Sequence, residues 1–304
     1  MLYRASIDIG TNSVLLLIVE QTEKGLRVLE EVQRLPRLGS EVDSNGLLAK
    51  ESMYKVLEVL SEYVGIIQKY GDEVLTKTVV TATSAVRDAA NKQEFLTLVK
   101  EAVGFQVVIL SGEDEAKYTY LGAISQTKVE SDSIMIVDIG GGSTELAVGN
   151  STNLLRGISI NMGCVRFNER FLIHKPPLQE EIGECRRSIE ALLHATQLRF
   201  PSKTQIVAVS GTATSLAAID QQMFPYRSPD INNYRLSIDK LTNIIRLFSI
   251  HTFEYLLELH TEVMKGRVDV FLAGLLILEG VLRYARAEEF IVSTGGIRHG
   301  ILLN

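Results

Sequence analysis

The chain has 304 residues, 46% hydrophobic and 22% charged, a composition that supports a buried core and a length that suits two domains better than one. Its formal net charge of −6 argues against a general nucleic-acid or membrane-surface binder, since those partners want a basic face, although a local arginine cluster could still meet a polyanionic substrate. The two cysteines, Cys164 and Cys185, form no CxxC pair and indicate no disulfide framework. The chain enters a strand-like segment at once, without a signal-peptide pattern. Its longest uncharged apolar run, Val270 to Leu278, is far short of the roughly 20 residues that span a bilayer. A cytoplasmic, reducing location is expected, with no membrane and no nucleic-acid partner.

In chain order, the pattern predicts three strands over residues 4–35. ASIDIG and VLLLIVE flank a tight turn, and LRVLEEVQRL follows a Lys-Gly turn at 24 and 25. A helix is expected from about Leu47 to Lys69, with Val56, Leu57, Leu60, Val64 and Ile67 at helical spacing and Gly71 closing it. TKTVVTA reads as a strand, EFLTLVKEAV as a helix, FQVVIL as a strand and EDEAKYTYLGAIS as a helix. The second half opens the same way, with strands IMIVDIG, TELAVGN and LLRGISI. Helices follow around 165–172 and 178–199, then the strand QIVAVS and a helix from near Thr212. Long helices fill 237–259 and 266–286, and FIVST and GIRHGILL close the chain. The Leu/Ile stripe at 268–282 reads as a core helix; the other reading is a subunit contact, which would make a homodimer.

The order of elements therefore repeats. Each half starts with a strand hairpin at Asp-Ile-Gly and continues as alternating α/β. The expected domains are residues 1–126 and 127–304, with the last residues free to pack back on the first domain.

The glycine turns carry the first chemical signal. In IGGGST, the backbone N–H groups of Gly140, Gly141 and Gly142 can face one concavity with the Ser143 and Thr144 hydroxyls nearby, an arrangement suited to phosphate oxygens. The copy in the first half would use Gly10, Thr11, Asn12 and Ser13. A hairpin needing one positive φ is the plainer explanation, but one glycine would satisfy it. Neither a P-loop nor a dinucleotide fingerprint is present, since a strand rather than a helix follows the glycines. Asp138 before the turn and Glu145 after it offer hard oxygen ligands for Mg²⁺ beside a phosphate, and Asp8 is the matching acid in the first half. A turn-stabilising carboxylate is the alternative for any one of them. In LSGEDEAKY, three acids open a helix. They complement its dipole, and Ser111 with Asp114 reads as a variant capping box. Composition alone does not choose a catalyst among Glu113, Asp114 and Glu115. The five histidines, at 174, 194, 251, 260 and 299, show no metal spacing and no local acid partner and read as solvated or packing residues. Cys164 reads as packing.

Taken together, SIDIGTNSVLL, RLG with NGLL, VTATSAVRDAANKQEFL, ILSGEDEAKYTYLG, VDIGGGSTEL, GTATSLAA, GRVDVFLAGLLIL and STGGIRHGILL resemble the exopolyphosphatase and guanosine pentaphosphate phosphatase family, in its short two-domain form. The order and spacing of these strings are specific, although each alone is only suggestive. The resemblance implies a duplicated actin-like, sugar-kinase-like (ribonuclease H-like) two-domain phosphotransferase fold. It implies that Glu115, directly before Ala116, is the general base, that Asp138 and Glu145 hold Mg²⁺ or position water, and that Ser84, Arg87, Gly211 and Thr212 join the turn residues in binding phosphate. The implied substrates are inorganic polyphosphate, guanosine pentaphosphate or both. An ATP-dependent kinase of the same fold and a non-catalytic polyphosphate or alarmone sensor are the rival readings. Two departures stand out: the family's GGT is Ser210-Gly211-Thr212 here, and no further helical domain follows Asn304, so no extended groove for long polyphosphate is expected.

Overall fold

Alternating apolar positions from Leu2 to Arg34 build an antiparallel meander of β1 (Leu2–Ile9), β2 (Val14–Thr22) and β3 (Gly25–Arg34). The computed structural model describes residues 2–23 and 25–303; Lys24, half of the expected Lys-Gly turn, lies outside them. After the meander come α1 (Val42–Asn45), α2 (Lys50–Gln68), α3 (Asp72–Thr76), β4 (Val79–Ala82), α4 (Ser84–Asp88), α5 (Lys92–Val103), β5 (Val107–Ile109) and α6 (Gly112–Gln126). The sheet order is β3-β2-β1-β4-β5, with β4 parallel to β1 and β5 parallel to β4. Helix α2 starts three residues later than expected, because Leu47 stays exposed. It buries Met53, Val56, Leu60, Tyr63 and Ile67. Tyr63 can join that apolar stripe because its hydroxyl donates to the Val14 carbonyl (2.8 Å), which satisfies the polar end of the ring.

The second half repeats the plan with β6 (Ile134–Ile139), β7 (Thr144–Gly149), β8 (Leu154–Ile160), α7 (Cys164–Phe171), α8 (Gln179–Ala195), β9 (Gln205–Val209) and α9 (Ser210–Asp220). It continues through α10 (Ser228–Ile231), β10 (Arg235–Ser237), α11 (Ile238–Ile250), α12 (Phe253–Leu259), α13 (Thr261–Met264), α14 (Val268–Ala285) and β11 (Glu289–Val292). Its sheet runs β10-β11-β9-β6-β7-β8. Read from the meander inward, both sheets share one order: three antiparallel strands, then two parallel ones. This is the duplicated actin-like, ribonuclease H-like arrangement, with β10 added as an antiparallel edge.

Three features differ from expectation. β10 is only three residues long, too short for alternation to register. The helix expected over 237–259 is two helices, because His251 adopts an extended ψ of 153° and the Thr252 side chain caps α12. The chain divides into two compact units, one reaching Gly122 and regaining the chain at Ile297, the other Ala123–Gly296. The first division falls inside α6, four residues before the expected boundary. The closing helix α15 (Ile297–Leu303) belongs to the first unit, where Ile297 and Ile301 bury against Leu110 and Leu302 against Leu17 and Val19. The apolar stripe of α14 is buried in the core of its own unit. No helix among the described residues is long and apolar enough to cross a membrane.

Candidate functional site

The β6–β7 turn is closed by the Gly140 N–H donating to the Ser143 carbonyl (3.0 Å). Its next carbonyls all face α7. Gly140 O accepts from the Cys164 N–H (2.9 Å), and Gly141 O accepts from those of Val165 (2.9 Å) and Arg166 (3.1 Å). Gly142 O takes the Arg166 Nε–H (2.8 Å). In a trans peptide the N–H points opposite to the carbonyl of the preceding residue. The N–H groups of Gly141, Gly142 and Ser143 are therefore aimed away from α7, together, on the open side of the turn. Of the N–H groups expected to face one concavity, that of Gly140 is instead used within the turn. Thr144 is likewise turned inward, its hydroxyl bonded to the Met162 carbonyl. The Ser143 hydroxyl is buried with no partner.

The glycines are not there for a positive φ, which none of Gly10, Gly140, Gly141 and Gly142 adopts. The close approach of backbone is made instead by Gly163, behind the turn. A Cβ on Gly163 would stand 2.3 Å from the Gly141 carbonyl carbon and 2.5 Å from that of Gly142, so α7 starts in direct contact with the turn.

The β1–β2 turn is built the same way. Gly10 N–H donates to Ser13 O (2.9 Å), and the Thr11 and Asn12 carbonyls accept from Gly39 (2.8 Å) and Arg37 (3.2 Å). The N–H groups of Asn12 and Ser13 thus face the open side. Gly39 plays the part of Gly163: its Cβ would meet the Thr11 methyl at 2.3 Å and Ala85 at 2.9 Å. The Thr11 hydroxyl bonds Ser84 (3.0 Å), which joins this turn to the start of α4, and Asn12 lies 3.5 Å from the Arg37 guanidinium.

Sheet register aligns the acids. Asp138 and Glu145 are direct cross-strand partners, so their side chains share one face, and they are only 6% and 2% exposed. Glu145 is in turn opposite Ser159, whose hydroxyl donates to it (2.7 Å). The Ser210 hydroxyl donates to Asp138, and Ser210 does so from a left-handed φ of 67°. In the first unit Asp8 is opposite Leu15 and accepts from the Thr81 hydroxyl (3.3 Å).

The start of α6 separates its three acids. Asp114 is engaged in the cap, with its N–H on the Ser111 hydroxyl (3.1 Å) and its carboxylate accepting from it (2.7 Å). Glu113 is exposed. Glu115 alone points inward, 4% exposed, and takes Arg87 Nη1 at 2.8 Å. The same Arg87 nitrogen donates to the Leu110 carbonyl (3.0 Å), which fixes the guanidinium beside the acid.

Around Gly211 and Thr212, at the start of α9, Arg267 donates to Gly211 O (3.2 Å) and Ser215 Oγ (2.8 Å). Burial lowers its pKa. Cys164 is inert packing: burial pushes its thiol up to about 11. Two histidines do have acid partners, contrary to expectation, His174 with Glu181 (2.9 Å) and His194 with Glu190 (3.8 Å); both partners lie within one local segment of chain. Sequence reasoning missed Ser159, Gly163, Arg166, Arg267 and the hydroxyl role of Ser210. Ser159 could have been found by counting register two strands across from Asp138.

The donor chemistry fits Mg²⁺. No group of three His, Cys, Asp or Glu side chains that could cage a metal occurs among the described residues, but two hard carboxylates on one face are what Mg²⁺ takes when substrate phosphates and water supply its remaining ligands.

Residues 17–304 match the Ppx/GppA phosphatase family. Over 99% of its length the chain is 31% identical to the bifunctional 3-dehydroquinate synthase/phosphatase of Fusobacterium nucleatum subsp. nucleatum, and it spans 46% of that relative. It is 28% identical to exopolyphosphatase 2 of Mycobacterium tuberculosis, across 99% of this chain and 97% of the relative. The solved structure of the Aquifex aeolicus Ppx/GppA family member is similar with a TM-score of 0.83 and 31% identity, covering 99% of this chain and 96% of that one. With the family match taking in nearly the whole chain and the same fold recurring over nearly all of a solved member, the protein belongs to the Ppx/GppA phosphatase family.

Proposed function

We propose that the protein is a Mg²⁺-dependent phosphoanhydride hydrolase that releases the terminal phosphate of inorganic polyphosphate, with guanosine pentaphosphate as a second substrate. The observation that carries this reading is Glu115, the one buried acid of three at the start of α6, held against Arg87. In this reading Glu115 takes a proton from the attacking water. Arg87 holds the carboxylate in place, and its remaining guanidinium donors meet phosphate oxygens. The N–H groups of Gly141, Gly142 and Ser143 stabilise the charge on the transferred phosphoryl group. The buried Ser143 hydroxyl faces the same group, and the Asn12 and Ser13 N–H groups, Ser84, Gly211 and Thr212 bind further phosphates. Asp138 and Glu145 hold Mg²⁺, with Asp8 the matching acid of the first unit; the ion, when bound, neutralises phosphate charge and polarises the reacting group.

Purified protein is offered polyphosphate of defined lengths or guanosine pentaphosphate with Mg²⁺, and phosphate release is measured. Release from neither substrate overturns the reading, and transfer of the phosphoryl group to an added acceptor would favour a kinase. Glu115→Gln keeps the contact to Arg87 and is expected to lose at least about 10²-fold in rate, the scale of a missing general base, while circular dichroism stays unchanged. Full activity in that variant would move the base elsewhere.

A further inference from the structure

In the second unit, a cavity of about 700 Å³ opens between the later turns of α8 and α14. No residue of the glycine turn, of α7 or of α9 lines it. The volume is that of a small-molecule site.

Two features of the lining are unusual. The first is Glu279, 2% exposed, in the otherwise apolar run from Val270 to Leu282. A carboxylate buried in such a run is costly unless paired. Here it is paired twice, with Arg186 Nε (2.9 Å) and Arg283 Nη2 (2.9 Å). Each arginine commits one of its five N–H donors to the acid, so Glu279 works as a clamp that holds two half-free guanidinium groups at the cavity edge. The second is an excess of positive charge. Arg199 and Arg286 also line the cavity, so four arginines stand against two glutamates, Glu190 and Glu279, in a chain whose net charge is −6. Between the arginines the wall is apolar, with Leu193, Leu198, Leu276 and Phe200. Tyr284 stands edge-on to Phe200 at 5.8 Å and donates its hydroxyl to the Leu198 carbonyl (2.8 Å), so its ring adds apolar wall without leaving a polar group unmet.

We propose that this cavity binds a small amphipathic anion, an apolar body seated on the Leu/Phe/Tyr wall with one carboxylate or phosphate head gripped by the arginines. A cavity serving only as a helix-packing gap would need neither a clamped pair of guanidinium groups nor two further arginines. A purely inorganic anion would gain nothing from the apolar wall. The proposal is independent of the catalytic reading, because it involves none of the residues assigned there.

The test uses the whole chain and the fluorescent anion 1-anilinonaphthalene-8-sulfonate. The expected result is saturable binding near one probe per chain, displaced by decanoate or decyl phosphate below their micellar concentrations. Decanol and inorganic phosphate should displace it at least about tenfold less well, the scale of losing a charge-assisted hydrogen bond. Which of the two heads displaces better identifies the head group. Arg199→Glu combined with Arg286→Glu changes only exposed side chains, so the fold should persist by circular dichroism. That variant should weaken displacement by both anions at least about tenfold. Absence of probe binding, equal displacement by decanol, or an unchanged double variant would overturn the proposal. So would light scattering that shows a dimer which the double variant dissolves together with probe binding, since the cavity would then be a contact between copies.

Discussion

Placed side by side, the two hairpin turns share their scaffold and differ in one row of side chains. In the second unit, register across β9, β6, β7 and β8 gives Val209, Asp138, Glu145 and Ser159. In the first, the corresponding row across β4, β1, β2 and β3 is Thr81, Asp8, Leu15 and Gln33. The aspartate is common to both. The second acid and its hydroxyl support exist only in the second row, so only that row sets two carboxylates side by side. The hydroxyl on the aspartate has also moved. Thr81 reaches Asp8 from within the row, whereas Val209 cannot, and Ser210 one residue later does so at the expense of a left-handed φ. Duplication repeated the backbone geometry and left the chemistry to individual side chains.

The largest effect is expected where the scaffold itself is filled. Gly163→Ala drives a Cβ into the backbone of Gly141 and Gly142, which cannot yield without moving the turn. Phosphate release should fall about 10²-fold, the scale of a 1 Å misplacement, with about 1–3 kcal/mol of stability lost to overpacking. Gly39→Ala meets the end of a side chain instead, and adding Thr11→Ser, which removes the closest methyl, should recover part of the loss. If the two alanine variants respond alike and Thr11→Ser rescues nothing, the turns do not differ as described.

Next comes the support of the second acid. Ser159→Ala removes the hydrogen bond to Glu145 and should raise the Mg²⁺ concentration for half-maximal rate by about tenfold, within the range for outer-shell partners of a metal site. Gln33→Ala, its positional counterpart, should leave that concentration unchanged. An equal response from both would mean that the rows are not specialised.

Smaller still is Ser210→Gly. Removing a side chain from a left-handed backbone should stabilise the protein by about 1 kcal/mol in thermal or urea unfolding. Loss of the hydroxyl on Asp138 should lower activity by only a few-fold, since a water can replace it. A destabilised variant would show that φ 67° is not strained here.

A last expected effect is on stability against pH rather than on activity, and concerns α15. His299 is buried on it, and burial, aided by Arg298, brings its pKa to about 3. The unfolded chain therefore binds this proton first. The stability conferred by neutral His299 is complete above about pH 6.5 and is lost as pH falls toward 3. His299→Gln should flatten the pH dependence of unfolding between about pH 4 and 7, whatever its effect at neutral pH; an unchanged slope would place the titrating group elsewhere.

Most of this fold was legible in the sequence, because strands such as Ile134–Ile139 and helices such as Val268–Ala285 carry continuous or periodic apolar patterns. β10, with three residues, has no period to detect. The break at His251 rests on a local extended backbone that the surrounding apolar residues of α11 and α12 mask. At the site, the turns and Asp138 with Glu145 could be read from spacing, since they neighbour one another along the chain. Gly163 could not, because close packing brings it in from outside that stretch, and Ser159 only by counting strand register across β7 and β8. Nor could spacing single out Glu115, whose distinction from Glu113 and Asp114 is the direction it faces from the first turn of α6.

The glycines behind the turns, Gly39 and Gly163, also bear on which mutations the protein can accept. Any side chain at Gly163 collides with backbone, and any at Gly39 with Thr11 and Ala85. A single-residue change behind either turn therefore meets a steric wall, whereas Leu15, which is only partly buried, lies against neither glycine. A laboratory search for altered phosphate selectivity should therefore leave both glycines untouched.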